Sequence, residues 1–144
     1  MFQKVDVALN IYGKPWQTLC TVKSLLQYSG KWIDKIYMTI EKHHPYDDDP
    51  RWILNYIDCV SYTPKDYFFT KGTWGDLNNQ EERFVYRYQY GIETSDKKHV
   101  FIAHNDILFT DDIIRHMLDR VGENAGIGLI GQCWNCSAFK TGIS

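Results

Sequence analysis

Strand-like and helix-like stretches alternate along the 144-residue chain, and this alternation predicts an α/β fold of three layers, α/β/α, around a mainly parallel sheet. Two further observations support that class. The stretches read as strands are rich in β-branched and aromatic residues, and residues 99–104 (HVFIAH) are almost wholly apolar, as a strand covered on both faces must be.

The elements follow in order. Residues 4–10 (KVDVALN) read as a first strand that stops at Gly13, Lys14 and Pro15. From Pro15 to Ser29 the apolar residues Trp16, Leu19, Cys20, Val22, Leu25 and Leu26 recur at helical spacing, with proline in the tolerated first turn and Gly30 at the end. Residues 34–41 (DKIYMTIE) and 57–63 (IDCVSYT) predict a second and a third strand, separated by the polar stretch HHPYDDDPR, which cannot be core. Asn79 caps a predicted helix with Gln80, Glu81 and Glu82 in its first turn and an apolar stripe of Phe84, Val85, Tyr88 and Ile92, leaving Arg83, Arg87 and Tyr90 off the stripe. Residues 99–104 are the fourth strand. Thr110 then caps a helix with Ile113, Ile114, Met117, Leu118 and Val121 on one face and Gly122 at its end, and residues 126–131 (GIGLIG) give a short fifth strand.

Composition narrows the function. With 44% hydrophobic, 24% charged and 15% aromatic residues, the chain, residues 1–144, is expected to form a single globular domain. A formal charge of −2 disfavours a basic groove for nucleic acid. No apolar run approaches the roughly 20 residues of a membrane helix, and the first six residues lack the build of a signal peptide, so the expectation is a cytoplasmic protein without a transmembrane segment. The four cysteines, at 20, 59, 133 and 136, are too few and too uneven for a disulfide framework.

In a sheet of this class, ligands bind outside the carboxyl ends of the strands. That rule singles out residues 10–14, 41–44, 63 onward and 104–106. His104, Asn105 and Asp106 directly follow a strand, where a carboxylate can help hold a divalent cation that neutralises a diphosphate. The structural alternative is that Asn105 and Asp106 satisfy backbone donors at a turn. Arg83 and Arg87 could meet phosphate oxygens with a bidentate fork, against the commoner role of pairing with Glu81 and Glu82 on a solvated helix face.

Residues 91–106 (GIETSDKKHVFIAHND) resemble a segment of nucleotide-sugar glycosyltransferases of the GT-A fold, especially the family 2 type, in which a helix leads into a buried strand and an Asp-x-Asp motif. The opening, Asn10-Ile11-Tyr12-Gly13-Lys14-Pro15 followed by a helix with Thr21, Ser24 and Leu25, is similar to that family's first strand, loop and helix. The resemblance spans about residues 4–131 and implies a donor-binding part of such an enzyme. It implies that Asn10, Ile11, Tyr12 and Glu41 meet the base and ribose of the donor, and that Asp106 binds Mn or Mg together with the diphosphate. The sugar would pass to a carbohydrate, lipid or protein acceptor. His104 and Asn105 stand where the motif has its first acid and its middle residue, so one carboxylate of the pair remains, and the family's arginine register falls on Tyr88. The family's general base would lie beyond Ser144.

Two rival classes remain. A non-catalytic nucleotide- or sugar-binding relative accounts for His104 in place of an acid. A redox or metal protein built on Cys133-x-x-Cys136 has only that motif behind it, and zinc would need two further ligands. Cys20 and Cys59 read as small apolar core residues. His43, His44 and Asp47 to Asp49 read as a solvated acidic loop. Gly126-x-Gly128-x-x-Gly131 matches a dinucleotide fingerprint only as a string, since it does not open a helix. Tyr67, Phe68, Phe69 and Trp74 make residues 66–76 unusually aromatic, fit either to stack on a base or sugar or to plug the sheet's end.

Overall fold

The computed structural model describes residues 3–41, 49–63 and 80–121, with the backbone alone for 80–86. Its elements are β1 (Val5–Ile11), α1 (Pro15–Ser29), a 3-10 turn (Gly30–Trp32), β2 (Ile33–Ile40), a second 3-10 turn (Pro50–Asn55), β3 (Val60–Tyr62), α2 (Gln80–Thr94), β4 (Val100–Ile102) and α3 (Ile113–Val121). The four strands form one sheet in the order β3-β2-β1-β4, and every pairing is parallel. The α/β class expected from the alternation is therefore the class observed.

Strand alternation divides the core in two. Val5, Val7, Leu9 and Ile11 of β1 join Ile36, Met38 and Ile40 of β2 in one cluster with Leu19, Val22 and Leu25 of α1, Ile53 and Ile57 of the second 3-10 region, and Ile114 of α3. Burying each such side chain contributes about 1.5–3 kcal/mol, so this face is the main source of stability. On the opposite face α2 lies across Ala8 and Tyr37, and Gly91 is what lets it approach: a Cβ added there would stand 2.8 Å from the Cβ of Ala8 and 3.0 Å from that of Tyr37. Tyr90 presses its ring on Tyr62 of β3, stacked at 4.5 Å, and meets Tyr37 edge-on at 6.0 Å.

A buried carboxylate organises the other end of the sheet. Between Val5 and Val7 the pairing with β2 slips by one residue, since their partners are Ile33 and Ile36. Asp6, fully buried at that slip, accepts the Lys35 backbone N–H at 3.0 Å and the Ser95 hydroxyl at 2.6 Å, which ties the end of α2 to the start of the sheet.

Several expectations shift. The apolar stripe drawn for α2 holds at Tyr88, which is half-buried, and fails at Ile92, which is exposed, while Arg87, Tyr90 and Gly91, left off it, are buried or half-buried. Counting apolar residues missed this because a glycine and an arginine make the close contacts. In α1, Trp16, Cys20 and Leu26 are exposed, and Thr18, Thr21, Ser24 and Ser29 are buried in their place. Cys20 is thus not a core residue, and Cys59 is half-buried, its thiol pushed up by burial and by the neighbouring Asp58 charge. The third strand, expected over residues 57–63, is confined to Val60–Tyr62, and a 3-10 turn over Pro50–Asn55 precedes it. β4 has one exposed position, Ile102, where full cover was expected. At α3 the cap is Asp112, whose Oδ1 accepts the Arg115 N–H at 3.4 Å, two residues after the predicted Thr110. Asn79, Gly122, residues 126–131, Cys133, Cys136, His43, His44 and the aromatic stretch 66–76 lie outside the described residues. No helix among the described residues is long and apolar enough to cross a membrane.

Candidate functional site at the carboxyl edge of the sheet

Because all four strands run the same way, the segments that leave β1, β2 and β4 emerge at one edge, and with them the residues the sequence singled out. Asn10 is the penultimate residue of β1 and is buried, its Nδ2 donating to the Thr39 carbonyl of β2 at 3.3 Å. Ile11 is a core residue on the α1 face, so only its backbone faces the edge; its carbonyl accepts the Glu41 N–H at 3.0 Å. That bond zips the ends of β1 and β2 together and carries Glu41 to the mouth of the sheet.

Glu41 is the unusual residue here. It is 4% exposed, and a carboxylate almost never reaches that degree of burial without a cation nearby. Arg87 supplies one: its Nε stands 3.5 Å from Glu41 Oε1, and its guanidinium lies over the Tyr12 ring, 5.8 Å from the centroid. The pairing found for Arg87 is therefore with a residue 46 positions away and on the inner side of the helix, not one of a solvated face. Tyr88, the next residue, completes the group. Burial pushes its phenol above the ordinary value, Arg87 opposes the rise, and the Asp106 and Glu41 carboxylates add to it.

Asp106 itself is exposed, as is His104, while Asn105 is half-buried and donates through Nδ2 to the Thr18 hydroxyl at 2.9 Å. The segment carrying them is strapped along α1. Ile107 N–H donates to Thr21 Oγ1 at 3.1 Å, Phe109 N–H to Ser24 Oγ at 3.1 Å, and Ile114 N–H to Ser29 Oγ at 3.3 Å. These four hydroxyls hold an otherwise irregular segment against the helix. Their spacing at 18, 21 and 24 follows one helix face, a signal present in the sequence and hidden by reading the face through its apolar members.

The loop after β1 is equally constrained. Gly13 and Lys14 both adopt positive φ, 63° and 50°, so the chain turns sharply before Pro15 opens α1. The result is a mouth with Tyr12 and Lys14 on the β1 loop, Glu41 just past the end of β2, Arg87 and Tyr88 on α2, and Asp106 beyond β4. An aromatic ring, a buried acid, a guanidinium and an exposed acid can together take a ligand with a planar ring, hydrogen-bond donors and an anionic end. Among the described residues no three His, Cys, Asp or Glu side chains converge as a cation site. No family model matches the chain, and no curated protein matches it.

Proposed function

We propose that the carboxyl edge of this sheet binds a nucleotide-sugar donor, and that the chain is the donor-binding part of a glycosyltransferase of the GT-A type. The observation that carries the reading is the meeting of Tyr12, Glu41 and Arg87, from three separate segments, at the edge where α/β sheets bind ligands and from which the segment bearing Asp106 also leaves β4. Glu41, paired with Arg87, would accept a hydrogen bond from a base or ribose, next to the Tyr12 ring and the Asn10 end of β1. The diphosphate would lie toward Asn105 and Asp106. A divalent ion, Mn or Mg, would there find one protein carboxylate, with the phosphate oxygens supplying the other ligands.

Transfer requires an acceptor hydroxyl oxygen to bond to the anomeric carbon as the bond from that carbon to the diphosphate oxygen breaks. The bonding pair leaves with the diphosphate, and the hydroxyl proton passes to a base. What the donor site contributes is the placing of the leaving group and the stabilisation of its charge.

Nucleoside diphosphate binding tests the reading directly. UDP and GDP, with and without Mn, should raise the melting temperature of the chain, because a ligand that binds only the native state stabilises it by mass action. Glu41→Gln should weaken binding about tenfold, the cost of a lost charge-assisted hydrogen bond, and Asp106→Asn should remove the additional shift that Mn brings. No shift with either nucleotide, or an Asp106→Asn protein that keeps the whole Mn-dependent part, would overturn the assignment.

A further inference from the structure

We propose that Thr18 is the joint between the two loops of this site: by holding Lys14 on one side and Asn105 on the other, it sets where the Asp106 carboxylate stands relative to Tyr12. The proposal rests on the donor-binding reading for its functional consequence, and on geometry for its position.

Thr18 is fully buried on the first turns of α1. Its hydroxyl donates to the Lys14 carbonyl at 3.3 Å and accepts from Asn105 Nδ2 at 2.9 Å. A hydroxyl has one proton to give and lone pairs to receive with, so the two bonds are compatible. Helical threonines commonly bond back to the carbonyl four residues earlier, which by itself accounts for the Lys14 contact. It does not account for Asn105, 87 positions away in the chain.

Asp106 lies between two such anchors. Asn105 is held by Thr18, and the Ile107 N–H is held by Thr21 one turn later on the same helix. The exposed carboxylate therefore takes its place from its neighbours. On the other side the Lys14 carbonyl receives both the N–H of Thr18, at 3.2 Å, and its hydroxyl, which secures the left-handed turn that presents Tyr12. One side chain thus touches both the loop beside Glu41 and Arg87 and the loop that bears Asp106. Thr18 is a positioning residue, acting through Lys14 and Asn105.

Thr18→Val removes the hydroxyl at nearly constant volume, Thr18→Ser retains it, and Asn105→Ala removes the same bond from the less buried side. Two quantities decide the matter. The first is UDP and GDP affinity in the presence of Mn, by calorimetry. The second needs no ligand: the titration of the Tyr88 phenol, followed by NMR, which the Asp106 charge moves upward. Thr18→Val and Asn105→Ala should each weaken nucleotide binding about tenfold and shift the Tyr88 titration down, toward its value in Asp106→Asn. Thr18→Ser should keep both near the parent protein. Should Thr18→Val not fold, Asn105→Ala carries the test alone. Unchanged Tyr88 titration in a folded Thr18→Val or Asn105→Ala protein, while Asp106→Asn moves it, would overturn the proposal. A parent chain that binds neither nucleotide would sink the donor-binding reading, and the Tyr88 titration would still decide whether Thr18 places Asp106.

Discussion

Glu41 illustrates what position in a strand says about a residue and what it does not. Its place at the end of a predicted strand put it at the carboxyl edge in the sequence, as it did Asn10 and Asp106. Its burial, and the identity of its cation, depend on how α2 is rotated, and that rotation could not be read from apolar spacing because Arg87 and Gly91 occupy the inner face. The energetics follow from burial. A carboxylate 4% exposed has little water around it, so deleting its guanidinium partner leaves a charge in a poorly solvated place. Arg87→Met should therefore destabilise the fold by about 3 kcal/mol in urea denaturation near neutral pH. Glu41→Gln in the Arg87→Met background should restore most of the loss, since no charge then remains to be paired. A single variant as stable as the parent protein would mean that the pair is solvated.

Among the elements, α3 shows how a short helix with an apolar stripe is fastened in register. Sequence spacing located the stripe correctly, with Ile114 and Val121 buried. Its start is fixed by Asp112, which besides capping the helix at the Arg115 N–H takes partners far off in the chain: the Ser29 hydroxyl donates to it at 2.7 Å and Trp32 Nε1 at 3.0 Å, with Lys31 Nζ at 3.6 Å. Burial raises the Asp112 carboxyl, but these hydrogen bonds, the Arg115 N–H and the Lys31 charge together hold it below its ordinary value of 3.8. A carboxyl lowered in the folded state stabilises the fold above its unfolded value, and that contribution disappears as pH falls through the folded value. Asp112→Asn should accordingly be less stable than the parent by about 1–2 kcal/mol at neutral pH. The gap between the two proteins should stay constant down to about pH 5 and close as the pH drops below the ordinary carboxyl range. A gap that persists unchanged through acid unfolding would show that the stabilisation does not depend on the charge of the Asp112 carboxyl.

At the scale of the molecule, the order β3-β2-β1-β4 makes a central pair and two short flanks among the described residues. β1 is buried at every position and pairs on both sides, and β2 pairs with it over most of its length. β3 and β4 are three residues each, and all three positions of β3 are exposed. Sequence reading anticipated the strands and their direction, because hydrophobic runs and turn residues are local. It overestimated the length of the flanking strands, because pairing at an edge is decided by what lies beside the strand. Such a sheet should open from its edges. In native-state hydrogen exchange the amides of β1 and β2 from Val7 to Met38 that bond within the sheet should exchange only through global unfolding, with the full denaturant dependence of the fold. Those of β3 should exchange through local opening, with little dependence on denaturant, except as the Tyr62–Tyr90 stack restrains its last residue. Replacing Tyr90 by alanine should then speed exchange in β3 and leave β1 unaffected at low denaturant. If β3 and β1 lose protection together in the parent protein, the sheet is a single cooperative unit and its short flanks are held as firmly as its centre.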